Sequence, residues 1–174
     1  REVTYGGRTG RIRIEGHSEA AEVVWNRSVT RGAYFTAADV ASAARVALVG
    51  EVVARELFEG RDPIGEQIRI GTVPFQVIGV LAPKGQFLGI DLDDTAFIPT
   101  ARAMELFNKE GLTEIHVSYS EGAEASKVAD AVREMLAARH GREDFTLTTQ
   151  EDMLRTLANI LDILTMAVGA LGSL

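Results

Sequence analysis

Three aspartates lie close together in the sequence, at Asp91, Asp93 and Asp94. Clustered carboxylates could serve as the acid and base of a hydrolase, which needs two carboxyl groups at a fixed separation and in different environments. Nothing near these residues supplies the second environment. The spacing also lacks the alternating ligands, central glycine and terminal glutamate of a calcium-binding loop. We therefore expect the three aspartates to lie in a solvated loop.

A second candidate for chemistry is the series Glu114, His116 and Ser118, which would share one face of a predicted strand. A catalytic triad also needs its nucleophile on a sharp turn beside an oxyanion hole, and Ser118 has neither. The other histidines, His17 and His140, form no spaced pair of metal ligands. The glycine-rich segments lack the context of a nucleotide-binding loop. We predict no catalytic residue, no metal ligand and no cofactor.

The segment 82–94 is nevertheless a candidate for recognition. It carries the apolar residues Phe87, Leu88 and Ile90, followed by Asp91, within a polar connection. Loops carry recognition more often than cores do. If these side chains are exposed, they form a small apolar surface for a partner or a neighbouring protomer. The alternative is that they fold back over the sheet.

Composition limits the classes of partner. The 174 residues carry a net charge of −7 and are 46% hydrophobic, which is enough for a real core. A nucleic-acid partner normally requires a basic face, so the charge argues against one. The absence of cysteine excludes disulfides and thiolate zinc sites.

Periodicity predicts an α+β fold. Alternating or continuous apolar runs predict strands at 11–15, 21–29, 45–49, 67–70, 75–81, 95–98, 114–119 and 145–148. Helical spacing predicts helices at 51–58, after Thr100, at 123–140 and after Thr148. Thr36, with Asp39 three positions later, predicts the N-cap of a short helical turn.

The end of the sequence is strongly apolar. From Thr156 onward, Asp162 is the only charged residue, and small residues that allow close helix packing in membranes are frequent. The pattern predicts that 156–174 begins a transmembrane helix. A buried C-terminal core helix is the alternative.

Residues 46–81, VALVGEVVARELFEGRDPIGEQIRIGTVPFQVIGVL, and the later DTAFIPT resemble the extracytoplasmic domain of the MacB/FtsX class of ABC transporter permeases. The upstream NRSVTRGAYFTAADV resembles the lead-in to that block. The resemblance implies two subdomains. A porter-like βαβ subdomain would combine 1–45 with 112–155, and a strand-rich subdomain, 46–111, would be inserted within it.

The resemblance also implies a function. The domain would be non-catalytic, would lie on the periplasmic or extracellular side of the cytoplasmic membrane, and would couple ATP hydrolysis in the cytoplasm to cargo movement by shape change. Implied partners are an ABC ATPase, the permease dimer mate, and an adaptor or carrier protein. Two alternatives stay open: a lipoprotein-releasing permease domain that docks a soluble carrier, and a ligand-binding sensor domain of a membrane receptor.

Overall fold

A computed structural model of the chain describes residues 1–87 and 89–172 and divides it into two units, Arg1–Val117 and Ser118–Leu174. The strands are β1 (Glu2–Tyr5), β2 (Arg8–Arg11), β3 (Arg13–His17), β4 (Val29–Gly32), β5 (Val46–Val49), β6 (Gln67–Ile70), β7 (Val73–Leu81), β8 (Gln86–Phe87), β9 (Ile90–Asp91) and β10 (Thr95–Pro99). The helices are α1 (Ala21–Val24), α2 (Ala37–Ala41), α3 (Glu51–Phe58), α4 (Thr100–Phe107), α5 (Ala125–His140) and α6 (Gln150–Gly172). The predicted α+β class is confirmed.

One mixed sheet organises the first unit. Its strand order is β2-β1-β6-β7-β5-β10-β3, and β4 pairs with β7 off this path. The β5–β7 and β10–β3 pairs are parallel, whereas the other pairs of this sheet are antiparallel. The nine-residue β7 pairs with β6 through its first half and with β4 through its second half. Strands β8 and β9 form a separate hairpin.

The central strand β5 is buried on both faces, which explains its continuous apolar sequence. Ala47 and Val49 join the core that includes α3, whereas Leu48 joins a second core with Tyr34 and Phe35. This division follows from the period of two residues in a strand. The helix α3 adds Val53, Leu57 and Phe58 to the first of these cores. The sheet therefore has an apolar core packed against each of its two faces.

The short helix α2 begins as predicted from Thr36. The Thr36 hydroxyl accepts a hydrogen bond from the Asp39 backbone N–H at 3.2 Å, and the Thr36 N–H donates to Asp39 Oδ2 at 2.8 Å. This reciprocal arrangement satisfies two backbone donors at the helix start. The hydrogen bond from the Thr36 side chain, reinforced by that from its backbone, lowers the pKa of Asp39.

Thr36→Ala is expected to lower the free energy of unfolding by about 1 kcal/mol, because it removes the capping oxygen. Chemical denaturation measures this, with Thr36→Ser as the control that keeps the hydroxyl. Since the pKa of Asp39 is depressed in the folded state, the contribution of the cap is present near neutrality and disappears as the pH falls through the folded value. Equal stability of the two variants would contradict the role of the cap.

Three predicted strands are wrong. Residues 21–24 form α1, and Asn26 has a positive φ of 46°, which interrupts any continuous strand between α1 and β4. Neither 114–119 nor 145–148 is assigned as strand. Alternating polarity makes a segment compatible with a sheet, but a strand needs a hydrogen-bonded neighbour. Ile115, Val117 and Tyr119 instead remain exposed.

The predicted subdomain boundaries, 1–45 with 112–155 around 46–111, remain predictions. Within the first unit, strands from 1–45 pair directly with strands from 46–111, at β1–β6 and β3–β10. Exposed apolar residues occur along α6 from Met153 to Val168. Within residues 1–87 and 89–172, the structure contains no helix that is long and apolar enough to cross a membrane.

Candidate functional site

The segment predicted as a loop contains the β8–β9 hairpin. Gln86 pairs with Asp91 and Phe87 with Ile90 in antiparallel register. Gly89 has a φ of +79°, a backbone conformation that glycine adopts without steric penalty. The base of the hairpin is hydrogen-bonded to Arg27 of the first unit through Asp93.

Asp93 is the anchor of that base. Its carboxylate accepts hydrogen bonds from the backbone N–H of Lys84 at 2.9 Å, from that of Gly85 at 2.8 Å, and from the Arg27 guanidinium at 3.0 Å. Asp93 is 5% exposed and Arg27 is 4% exposed. Since a buried charge is tolerated only when it is paired and hydrogen-bonded, this cluster fixes where the hairpin leaves the sheet.

Arg27 is held from several directions. A terminal nitrogen also donates to the Leu92 carbonyl at 2.9 Å, and the guanidinium lies 5.8 Å from the centre of the Phe97 ring. Its Nε and the Tyr34 hydroxyl are buried side-chain polar atoms without a hydrogen-bond partner in the described part of the chain. Burial raises the pKa of Tyr34 to about 12, with Glu22 adding to the rise. The Tyr34 hydroxyl is therefore neutral near pH 7.

Gly50 lets the hairpin base approach the start of α3. A Cβ atom at position 50 would lie 2.1 Å from the Asp93 carbonyl oxygen. The Gly50 N–H donates to the Thr95 carbonyl at 2.8 Å, just beyond the anchor. The hairpin base is thus in direct backbone contact with the helix N-terminus.

The other two aspartates also contribute to this base. Asp91 Oδ1 accepts a hydrogen bond from the Asp93 N–H at 2.8 Å, and the Asp91 carbonyl accepts one from Arg13. The pKa of Asp94 is raised, first by burial and then by the negative charges of Glu56 and Asp91. The expectation of three solvated aspartates is wrong for Asp93, because its carboxylate is buried and occupied by its donors.

Two of the predicted partner-contact residues, Ile90 and Asp91, form β9. Ile90 is 53% exposed and Asp91 is partly buried. Phe87 has a defined backbone in β8, but its side chain, like all of Leu88, lies outside the described residues. The contact role of the four residues remains a prediction.

The other candidates for chemistry are held by neighbouring side chains. His116 Nε2 lies 3.0 Å from a Glu114 carboxylate oxygen, and the His116 ring packs on Trp25. Ser118 belongs to the second unit. In residues 1–87 and 89–172, no group of three or more His, Asp or Glu side chains is placed to hold a metal ion.

The sequence interpretation missed Arg27, Lys84 and Gly50. Arg27 and Asp93 are separated by 66 positions, and each stands in a polar local sequence that gives no sign of burial. The only usable signal was the glycine at the junction of a buried strand and a helix. Such a glycine can mark a close backbone approach.

Comparisons with known proteins agree with one another. A family model described as the MacB-like periplasmic core domain matches residues 1–135. A macrolide export ATP-binding/permease protein MacB from Azoarcus sp. (strain BH72) is 34% identical over 86% of this chain and 24% of its own length. A pyoverdine export ATP-binding/permease protein PvdT from Pseudomonas entomophila (strain L48) is 30% identical over 99% of this chain and 27% of its own length.

Solved structures show the same fold. The periplasmic region of MacB from Actinobacillus actinomycetemcomitans has a TM-score of 0.74 at 20% identity, covering 91% of this chain and 71% of that one. The extracellular domain of the transporter YknZ from Gram-positive bacteria has a TM-score of 0.71 at 20% identity, covering 85% and 75%. The chain spans about a quarter of the length of the curated relatives that it matches.

Proposed function

The chain belongs to the family of MacB-like periplasmic core domains, and from this premise we propose that it is the extracytoplasmic domain of an ABC exporter permease. Its role is to convert nucleotide-driven movement in the cytoplasm into movement on the other side of the membrane. The family match over residues 1–135 is the observation that carries the proposal. The relatives reported above are exporters by name, which supports export over the lipoprotein-releasing and sensor alternatives.

The packing of the first unit is that of a rigid body. Its sheet is packed on both faces, with Leu48, Val49 and Ile98 fully buried. Close-packed interiors transmit displacement because they deform little. Coupling by shape change requires rigid elements that occupy two discrete arrangements.

The domain would perform this role without bond chemistry of its own. The carboxylate of Asp93, the most buried member of the acidic cluster, is occupied in holding the hairpin. ATP hydrolysis belongs to a cytoplasmic ATPase domain or subunit of the whole transporter. The remaining partners are a permease dimer mate and a periplasmic adaptor or carrier. The proposed location is the inner membrane, with this domain tethered on the periplasmic or extracellular side.

The coupling can be tested by distance measurement, since the chain contains no cysteine that would compete with spin labels. Labels at Val23 and Met153 report on the first and second units, and both positions are exposed. In the full-length transporter, with any other cysteines replaced, the distance distribution should differ between nucleotide-free and ATP-bound states. A pair at Val23 and Thr72, both within the first unit, should stay unchanged. Identical distributions for the cross-unit pair would refute coupling.

The hairpin tip is the proposed contact with a partner. A photocrosslinking residue at the exposed Gln86 should capture an envelope protein in intact cells. Adding Ile90→Asp should lower the yield about tenfold or more, as expected for an apolar contact at the centre of an interface. Because Ile90 is half exposed, the free energy of unfolding should change by only about 0.5 kcal/mol.

The matched control for this experiment is Val23→Asp, since Val23 is a more exposed apolar residue outside the hairpin. It should leave capture at position 86 unchanged. No adduct at position 86, or equal loss from both aspartate variants, would remove the tip as a docking site. A large loss of stability from Ile90→Asp would assign the residue to the core instead.

A further inference from the structure

Four aromatic rings form a continuous series in the first unit. Phe97 lies on β10, and its ring centre is 4.1 Å from that of His17. The His17 ring is 6.4 Å from Trp25, in an edge-to-face arrangement. Trp25 in turn is 4.6 Å from His116, with the two ring planes at 61°. The series connects a buried strand to the segment 112–117.

Trp25 lies between the two histidines of this series. It follows α1, and its carbonyl accepts a hydrogen bond from the Lys84 ammonium at 2.5 Å. The Trp25 side chain is exposed, at 44%, and its ring contacts His116 of the segment 112–117. The Trp25 indole is therefore the ring that His116 contacts.

The segment 112–117 has few other attachments of this kind. Leu112, Ile115 and Val117 are each more than half exposed, and no strand is assigned there. Residue 117 is the last of the first unit, and the chain continues directly into the second. The edge-to-face contact between His116 and Trp25 therefore lies next to the part of the chain that leads into the second unit.

The charged groups around Trp25 determine how protonation changes this contact. Glu114 lies 3.0 Å from His116 Nε2, and Lys84 bonds the Trp25 carbonyl rather than its ring. An imidazolium over an indole gains a cation–π attraction that neutral imidazole lacks. It also gains an ion pair with the exposed Glu114, which solvent weakens. The cation–π attraction favours the contact with Trp25 when His116 is charged, whereas the ion pair joins two residues of the same segment.

His17, on the other side of Trp25, has a different environment. Its Nε2 lies 3.0 Å from Glu15, and this hydrogen bond is the main reason that the pKa of Glu15 is lowered. Arg13 and Arg27 also act on Glu15, so positive charge is already present near His17. The His17 ring packs between Phe97 and Trp25. In the described part of the chain, no hydrogen bond or ring contact joins it to residues 112–117.

We propose that His116 and Trp25 form a proton-responsive contact that fastens residues 112–117 to the first unit more firmly as the surrounding solution becomes acidic. Histidine is the side chain that changes charge between about pH 5 and pH 8. The contact is a property of the first unit and does not depend on transport. Its use as a regulator of movement between the units, in response to the acidity outside the cytoplasm, rests on the proposed function.

Trp25 is the only tryptophan of the chain, so its fluorescence reports on this site alone. In the 174-residue chain, the emission should change as the pH is lowered from about 8 to about 5, because the contacting imidazole changes its charge in this range. His116→Gln should remove most of this change, and His17→Gln should keep most of it. His140→Gln is the control in the second unit, where His140 bonds Asp144.

Amide hydrogen exchange tests the fastening itself. After correction for intrinsic rates, protection of residues 112–117 should be about twofold to fivefold greater in acid than in alkali, the range that an exposed cation–π contact supports. His116→Gln should abolish the difference. A fluorescence titration that survives His116→Gln, or is lost with His17→Gln alone, would overturn the proposal. So would protection that is independent of pH.

Discussion

Asp93→Ala is expected to lower the free energy of unfolding by about 3–5 kcal/mol, the cost of breaking a buried ion pair from one side. The substitution leaves the Arg27 guanidinium buried without its counter-charge. It also leaves the N–H groups of Lys84 and Gly85 without their acceptor. Chemical denaturation of the chain measures the loss.

The matched control is Glu56→Ala. Glu56 pairs with Arg55 at 3.7 Å, and both side chains are exposed. Exposed pairs contribute no more than about 1 kcal/mol. If Asp93→Ala were no more damaging than Glu56→Ala, the anchor would not be the buried, fully bonded group found here.

A double variant separates the ion pair from the backbone bonds. Arg27→Met together with Asp93→Ala should cost less than the sum of the single variants, because no unpaired charge remains buried. It should still be less stable than the unmodified chain, since the N–H groups of Lys84 and Gly85 stay unsatisfied. Faster amide exchange across residues 84–92 should accompany each Asp93 variant, which would locate the damage in the hairpin.

The elements that could be predicted are those whose signal is local. The apolar run at 45–49 predicted a buried strand, and β5 is continuously apolar because both of its faces meet apolar layers. The predicted strands at 67–70 and 75–81 correspond to β6 and β7, which are joined at Gly71, where φ is +61°. Thr36 and Asp39 fixed the start of α2 because a capping box is completed within four residues.

The features that escaped prediction depend on residues that are distant in sequence. Nothing in the polar context of Asp93 indicates that Arg27, 66 positions earlier, supplies its counter-charge. Residues 114–119 show the opposite failure, because their alternation is a local signal without a hydrogen-bonded neighbour in the described structure. The recognition role of the segment 82–94 remains a prediction, whereas its anchor at Asp93 depends on tertiary structure alone.

Gly50→Ala tests the contact between that anchor and the start of α3. Gly50 has φ −71° and ψ 163°, a conformation open to any residue, so backbone strain gives no reason for glycine here. The reason is space, because an added Cβ would lie 2.1 Å from the Asp93 carbonyl oxygen and 2.8 Å from its carbon. Both obstructing atoms belong to the backbone and cannot rotate away. We expect a loss of about 1–3 kcal/mol in the free energy of unfolding, as found for overpacked sites.

Gly111→Ala is the matched control, since a Cβ there meets nothing within 4 Å and its φ is not positive. It should be neutral or slightly stabilising, because alanine reduces the freedom of the unfolded chain. The loss in Gly50→Ala should be smaller when combined with Asp93→Ala than when made alone, because a hairpin base released from Arg27 can shift to admit the methyl group. Independent, additive losses would mean that the glycine and the ion pair hold the hairpin separately. Coupled losses would show that Gly50 and the Arg27–Asp93 ion pair together determine the position of the hairpin tip.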